Sequence, residues 1–175
     1  HQAQAAGIPV RGYLSMVFGD PWEGPVAIEE VVRLATTMLQ WGVAELSLGD
    51  TIGVATPGLV GATLEALTAA GVPIDRIGLH LHDTYGQALA NVYAGLQSGV
   101  SIFDAAVAGT GGCPFAKSAT GNLATEDLIW MLTGLGIDTG VDLRALLAIS
   151  PWLAAELSRP LTSRVATALT GRDVT

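Results

Sequence analysis

Strand-like and helix-like segments alternate along most of this chain, and that alternation restricts the fold more than any other feature. Apolar runs rich in β-branched residues are typical of buried strands at 10–18, 44–48, 77–82 and 102–108. Each is followed by a segment whose apolar residues recur at helical spacing, at 28–41, 57–70, 88–97 and 123–135. Strand followed by helix, with roughly 30 residues per unit, predicts a parallel sheet with helices on its faces.

A sheet of this kind belongs either to an open doubly wound fold or to a (β/α) barrel. The first strand is not followed by the Gly-x-Gly-x-x-Gly loop of dinucleotide-binding folds. Polar residues stand instead at the C-terminal ends of strands, namely Asp50, His80 and His82, as they do in barrel enzymes. The sequence therefore predicts an α/β fold of the TIM-barrel type.

The chain is too short for a whole barrel, which needs eight units and about 250 residues. It has 175 residues and shows strand–helix alternation only as far as 140. We therefore predict a half barrel of about four C-terminal βα units over 1–140. The remainder, 141–175, is predicted to be a helical extension with helical segments at 141–149 and 151–170.

Composition narrows the classes of partner. The net charge is −8, the pI is about 4.6, and Lys117 is the single lysine, which argues against a nucleic-acid partner. The longest apolar run, 145–155, is interrupted by Pro151 and is too short for a bilayer, so no membrane partner is expected. A lone cysteine cannot form an internal disulfide, which favours a reducing compartment.

The third predicted strand ends in His80-Leu81-His82. Side chains alternate along a strand, so the two imidazoles should point to the same face while Leu81 points to the other. Two imidazoles on one face can bind a single metal ion. The same spacing is also typical of ordinary half-buried histidines, so both interpretations stay open on this motif alone.

A glycine-rich loop at 109–122 follows the fourth predicted strand and contains Cys113. Glycines such as Gly111 and Gly112 allow the backbone to approach a ligand closely, so we expect them to contact substrate. The thiol of Cys113 is a candidate proton donor or acceptor, with an incidental solvent-facing thiol as the alternative. The order of residues excludes a phosphate-binding P-loop, because Gly-Lys-Ser/Thr is absent.

Four segments together carry a resemblance to a known family. They are GDTIGVATPG (49–58), HLHDTYGQALAN (80–91), GTGGCPFA (109–116) and GNLATED (121–127). In order and spacing they resemble hydroxymethylglutaryl-CoA lyase, and the likeness continues to RPLTSRVA (159–166). The related condensing enzymes also have a His-x-His strand, but they usually continue it with Asn-Asp and lack the Gly-Gly-Cys-Pro loop.

The resemblance implies a metal-dependent (β/α)-barrel lyase that cleaves (S)-3-hydroxy-3-methylglutaryl-CoA to acetoacetate and acetyl-CoA in leucine degradation. It implies that His80, His82 and Asn122 bind a divalent metal, Mg²⁺ or Mn²⁺. It also implies that Cys113 is catalytic and that Asp50 and Thr51 line the site. The general base stays open between a metal-binding histidine, Asp50 and a residue absent from this chain. For Lys117 there are two interpretations, a contact with a CoA phosphate and a solvated loop lysine. The second is favoured.

The family's first barrel strand carries an Asp-Arg-Glu signature that this chain does not contain. We therefore expect the chain to be the C-terminal half of a lyase, with weak metal binding and poor turnover on its own. The alternatives are a related acyl-CoA lyase or condensing enzyme, and a non-catalytic half barrel that self-associates. A homodimer is expected, in a bacterial cytoplasm or, alternatively, in the mitochondrial matrix.

Overall fold

The structure is a computed structural model that describes residues 1–112 and 121–170. Its strands are β1 (Arg11–Leu14), β2 (Glu45–Gly49), β3 (Ile77–His80) and β4 (Ile102–Asp104). Its α-helices are α1 (Gln2–Ala5), α2 (Ile28–Gln40), α3 (Pro57–Ala69), α4 (Ala88–Gln97), α5 (Thr125–Gly134), α6 (Leu143–Glu156) and α7 (Arg164–Leu169). Single 3-10 turns occur at Ile74–Arg76 and Val107–Gly109.

The contacts divide the chain into two compact units. The first is His1–Asp104, and the second comprises Ala105–Gly112 and, among the described residues, 121–170. The predicted boundary at 140 between a barrel part and a helical extension stays a prediction.

The first unit contains one four-stranded sheet in the order β1-β2-β3-β4. All three strand pairs are parallel, so the predicted parallel sheet is confirmed. One face is apolar, and its central leucines, Leu46, Leu48 and Leu79, are fully buried. Burying an aliphatic side chain of this size contributes about 1.5–3 kcal/mol. This face and the apolar sides of α2, α3 and α4 therefore form the core of the unit.

Local signals in the sequence explain where the helices begin. Pro57 occupies the first turn of α3, and the hydroxyl of Thr56 accepts a hydrogen bond from the Leu59 amide. At α4 the cap comes from further back, because the Asp83 carboxylate accepts a hydrogen bond from the Ala88 amide at 2.9 Å. The turn after β3 is therefore tied directly to the helix that follows it.

Three strands are shorter than predicted, and the third of the chain, predicted over 77–82, ends at His80. The first was predicted over 10–18 but ends at Leu14. Met16 there has a positive φ of 60°, and its amide donates to the Thr51 hydroxyl instead of to a neighbouring strand. The fourth was predicted over 102–108 but ends at Asp104, and a 3-10 turn occupies Val107–Gly109. The first and fourth apolar runs continue past their strands because the loop residues Val17, Phe18 and Ala108 are also buried.

The second unit packs α5 against α6 and α7. The prediction of separate helical segments meeting at Pro151 was wrong, because α6 runs through Pro151 without a break. Proline removes one helical donor, but the preceding Ser150 anchors the helix. Its hydroxyl bonds to the Leu146 carbonyl at 3.0 Å and to the buried Glu126 carboxylate. Within the described part of the chain, no helix combines the length and apolar character needed to cross a bilayer.

Replacing glycine by alanine should have opposite effects on stability at two positions within helices. A Cβ at Gly95 would lie 2.7 Å from Leu79 Cδ1 and 3.2 Å from Phe103 Cε1, whereas a Cβ at Gly61 meets nothing within 4 Å. We expect Gly95→Ala to lower the free energy of unfolding by about 1–3 kcal/mol through overpacking. Gly61→Ala should raise it by up to about 1 kcal/mol through helix propensity. Urea unfolding measures both, and equal shifts of one sign would contradict the packing described for α4.

Candidate functional site

His80 and His82 lie side by side at the C-terminal end of β3. Their ring centroids are 5.2 Å apart and the rings meet edge to face. His80 is the last residue of the strand and is partly exposed, whereas His82 is buried. The alternation along this short extended segment therefore places both imidazoles on one side of the sheet.

Each imidazole uses its Nδ1 atom for a contact within the first unit. His82 Nδ1 lies 2.8 Å from the backbone carbonyl oxygen of Asp50. A carbonyl only accepts, so His82 Nδ1 carries the proton and Nε2 keeps a lone pair. His80 Nδ1 lies 3.2 Å from the carboxylate oxygen Oδ2 of Asp104. Second contacts of this kind commonly orient metal-binding histidines.

Burial keeps His82 neutral near physiological pH. It lowers the pKa of the imidazole below its ordinary value, with a smaller lowering contribution from the neighbouring His80 and an opposing one from the hydrogen bond to Asp50. A neutral ring with a protonated Nδ1 offers Nε2 to a metal without first losing a proton.

Asp50 directly follows β2 and is 1% exposed. Its Oδ1 accepts from the Val54 amide at 2.9 Å, and its Oδ2 accepts from the Ala55 amide at 3.1 Å. Burial raises the pKa of this carboxyl to about 6. The hydrogen bonds from backbone amides act in the opposite direction but are the smaller effect. The side chain therefore shapes the loop after β2, and the backbone carbonyl of the same residue orients His82.

Thr51 connects the loops that follow β1 and β2. Its hydroxyl oxygen accepts a hydrogen bond from the Met16 amide at 2.8 Å, and this bond holds Met16 in its positive-φ conformation. Thr51 is only partly buried. The predicted contact between Thr51 and substrate stays a prediction.

In the second unit, Asn122 is held by the start of the glycine-rich loop. Its Nδ2 donates to the Thr110 carbonyl at 2.9 Å. Gly111 has a φ of +98°, and a Cβ there would lie 2.7 Å from Asn122 Nδ2, so only glycine leaves room for this amide. Gly112 is exposed. Cys113 and Lys117 lie outside the described residues.

The side-chain oxygen of Asn122 stands out among the polar atoms of the second unit. Asn122 Oδ1 is buried and has no hydrogen-bond partner among the described residues. A buried amide oxygen without a partner costs free energy, and such oxygens are good ligands for hard divalent cations. Asn122 Oδ1 is an oxygen donor in the second unit, and the Nε2 atoms of His80 and His82 are nitrogen donors in the first; both donor types suit Mg²⁺ or Mn²⁺. Within 1–112 and 121–170, no three His, Cys, Asp or Glu side chains group as a metal site.

Sequence reasoning missed two polar residues near the histidines. Asp104 ends β4, contacts His80, and forms an ion pair with Arg11 in β1 at 2.8 Å. The available signal was position, since Asp104 terminates its strand much as His80 does. A third missed residue, Glu126, is fully buried in the second unit, where its carboxylate accepts the Ala108 amide at the start of the glycine-rich loop.

The raised pKa of Asp50 predicts a pH dependence of stability. The pKa rises from 3.8 to about 6 on folding, so the folded state binds more protons than the unfolded state between these values. The Asp50 contribution is therefore largest below about pH 4 and is lost as pH rises through about 6, by roughly 3 kcal/mol at most. Asp50→Asn should reduce this slope in chemical unfolding between pH 4.5 and 7.5. Parallel stability curves would contradict the assignment.

Comparison with known proteins shows where the chain belongs. The family model described as HMGL-like matches residues 3–152. The mitochondrial hydroxymethylglutaryl-CoA lyase of Mus musculus is 53% identical over 166 residues, which are 95% of this chain and 51% of the relative. The chain thus spans about half the length of the curated relatives it matches.

Solved structures agree with this result. A hydroxymethylglutaryl-CoA lyase from Pseudomonas aeruginosa superimposes with a TM-score of 0.92 at 48% identity, covering 97% of this chain and 56% of the other. An HMG-CoA lyase from Acinetobacter baumannii, solved with coenzyme A and 3-methylmalate, gives a TM-score of 0.91 at 37% identity over 99% of this chain and 56% of that one. The predictions of a partial TIM-type barrel and of the family are both confirmed. The chain belongs to the HMGL-like family.

Proposed function

We propose that this chain supplies the C-terminal part of the active site of a lyase that cleaves (S)-3-hydroxy-3-methylglutaryl-CoA to acetoacetate and acetyl-CoA. One observation carries the proposal. His80 and His82 lie side by side, and each has its Nδ1 occupied by an acceptor. Both rings are thereby prepared to bind one cation through Nε2. The HMG-CoA lyase relatives support the choice of reaction.

His80, His82 and Asn122 would hold the divalent metal. When bound, Mg²⁺ or Mn²⁺ would lower the pKa of the substrate's tertiary hydroxyl and fix its orientation. Binding the metal would cost these ligands little free energy. His82 is neutral because of its burial, and Asn122 Oδ1, which has no hydrogen-bond partner among the described residues, would gain one. A further anionic ligand is expected from a part of the enzyme that is not in this chain, consistent with the absence of an Asp-Arg-Glu segment here.

The reaction breaks one carbon–carbon bond and moves one proton. A base removes the proton of the tertiary hydroxyl, and the alkoxide collapses to the ketone of acetoacetate. The electron pair of the broken bond passes to the thioester α-carbon, which an acid then protonates to give acetyl-CoA. We propose that Cys113 takes part in these proton transfers. The Asp50 carboxylate accepts two backbone amides, so we assign Asp50 to holding the site's loop and the ring of His82.

Removal of either imidazole should weaken metal binding. The chain has three histidines, which provides an internal control. We expect His80→Ala and His82→Ala each to lower Mn²⁺ affinity at least about tenfold, since each removes a ligand. The control His1→Ala should leave the affinity unchanged. Titration followed by the EPR signal of free Mn²⁺ measures this, with circular dichroism to verify folding. Equal affinity in all four proteins would contradict the metal site.

A chimera tests the catalytic proposal. The matching part of the Pseudomonas aeruginosa lyase would be replaced by this chain, so that the relative supplies the remaining 44% or so of the enzyme. We expect release of acetoacetate from the HMG thioester, and a loss of at least about 10²-fold in kcat for the His82→Ala chimera. A folded, Mn²⁺-binding chimera that releases no acetoacetate would contradict the proposed reaction, and a panel of other acyl-CoA thioesters would then identify the substrate.

A further inference from the structure

Asp104 receives hydrogen bonds or ion pairs from three other strands of the first unit. Its Oδ1 lies 2.8 Å from Arg11 Nη2 in β1. Its Oδ2 lies 3.1 Å from the Ser47 hydroxyl in β2 and 3.2 Å from His80 Nδ1 in β3. The carboxylate is 20% exposed. A group with this many polar contacts, reaching a predicted metal ligand, calls for a role beyond holding the sheet together.

The sheet surface is shaped to let Arg11 reach Asp104. Arg11 belongs to β1 and Asp104 to β4, so the guanidinium crosses β2 and β3. Along its path lies Gly78, where a Cβ would stand 2.9 Å from Arg11 Nη2 and 3.0 Å from Ile102 Cγ2. The register partner of Gly78 in β2 is the small residue Ser47. A larger side chain at position 78 would displace the guanidinium.

The contacts fix which way the carboxylate faces. Arg11 also pairs with Glu45 through Nε at 2.7 Å, so its guanidinium is anchored on both sides. Because Arg11 occupies Oδ1, Oδ2 is left for Ser47 and His80. An ionised carboxylate can only accept, so His80 donates through Nδ1, and in the neutral ring its Nε2 keeps the lone pair.

His80 and His82 therefore reach the same protonation pattern by different means. His82 is buried, and a backbone carbonyl fixes its ring. His80 is about one-third exposed, and among the described residues its Nδ1 has the Asp104 carboxylate as its acceptor rather than a backbone carbonyl. In water a neutral imidazole side chain prefers the proton on Nε2, which would block metal binding through that atom.

We propose that Asp104, held by Arg11 and Ser47, is a positioning residue that keeps His80 in its Nδ1–H form and directs Nε2 toward the divalent cation. The inference rests on the proposed function for the cation itself. The hold of Asp104 on the His80 tautomer is a property of the metal-free protein, so it can be measured separately.

Asp104→Asn is the informative substitution. The amide oxygen should remain with the positively charged Arg11, and the amide NH₂ would then face His80. His80 Nδ1 would have to accept, so the proton would move to Nε2. The matched control is Glu45→Gln, which changes the other carboxylate bound to Arg11 but contacts Arg11 rather than His80.

Long-range ¹H–¹⁵N NMR of the metal-free chain at pH 8 gives the tautomer of each histidine. We expect both His80 and His82 in the Nδ1–H form in the wild type and in Glu45→Gln. In Asp104→Asn, His80 should change to Nε2–H while His82 does not. Mn²⁺ affinity should fall about 10- to 100-fold in Asp104→Asn, and less than about twofold in Glu45→Gln.

Each failure has a distinct meaning. A wild-type His80 found as Nε2–H, or one that stays Nδ1–H in Asp104→Asn, overturns the role of Asp104, and the wild-type spectrum decides this even if the variant does not fold. Unchanged Mn²⁺ affinity in Asp104→Asn, with affinity lost in His80→Ala, also overturns it. A wild-type chain with the expected tautomers but no Mn²⁺ binding overturns the cation site of the proposed function, and with it the purpose assigned to Asp104.

Discussion

The register of the parallel strands is the constraint on which the candidate site depends. Gly49, His80 and Asp104 occupy one row across β2, β3 and β4. Parallel pairing brings the C-terminal ends of these strands to one edge, where each chain turns into a loop. The His80 carbonyl accepts the Asp50 amide at 2.9 Å, which extends the row by one residue. A shift of one residue in β3 would turn both imidazoles to the apolar face.

The two faces of the sheet differ in character. The face bearing Leu46, Leu48 and Leu79 forms the core with the helices, and Gly95 lets α4 approach it closely. The opposite face carries charged and small polar groups, where Gly78 and Ser47 leave room for a guanidinium. Small residues thus serve helix packing on one face and a cross-strand ion pair on the other.

Much of the fold was predictable because its signals are local. The bounds of α4, 88–97, agree with the prediction, since Asp83 and Gly99 mark its ends in the sequence. The paired histidines were equally accessible, because alternation along an extended segment fixes the side they face. The ends of the strands could not be predicted, because buried loop residues such as Val17 look like strand residues in sequence. Pro151 was misleading because the hydrogen bond that anchors the helix beside it joins Ser150 to Glu126, which is distant in sequence.

The partners of the site residues were the least predictable part. Asp104 and Arg11 are separated by 93 positions, and only the strand order reveals that they meet. Asp50 was expected to carry chemistry, but sequence alone could not show that its oxygens accept the amides of Val54 and Ala55.

Anomalous diffraction from crystals of this chain grown with Mn²⁺ tests the central claim most directly. The account predicts one strong peak within bonding distance, about 2.0–2.3 Å, of Nε2 of His80, Nε2 of His82 and Oδ1 of Asn122. A Mn²⁺ ion bound through an Nδ1 atom, or bound by the two histidines with Asn122 Oδ1 turned elsewhere, would contradict it.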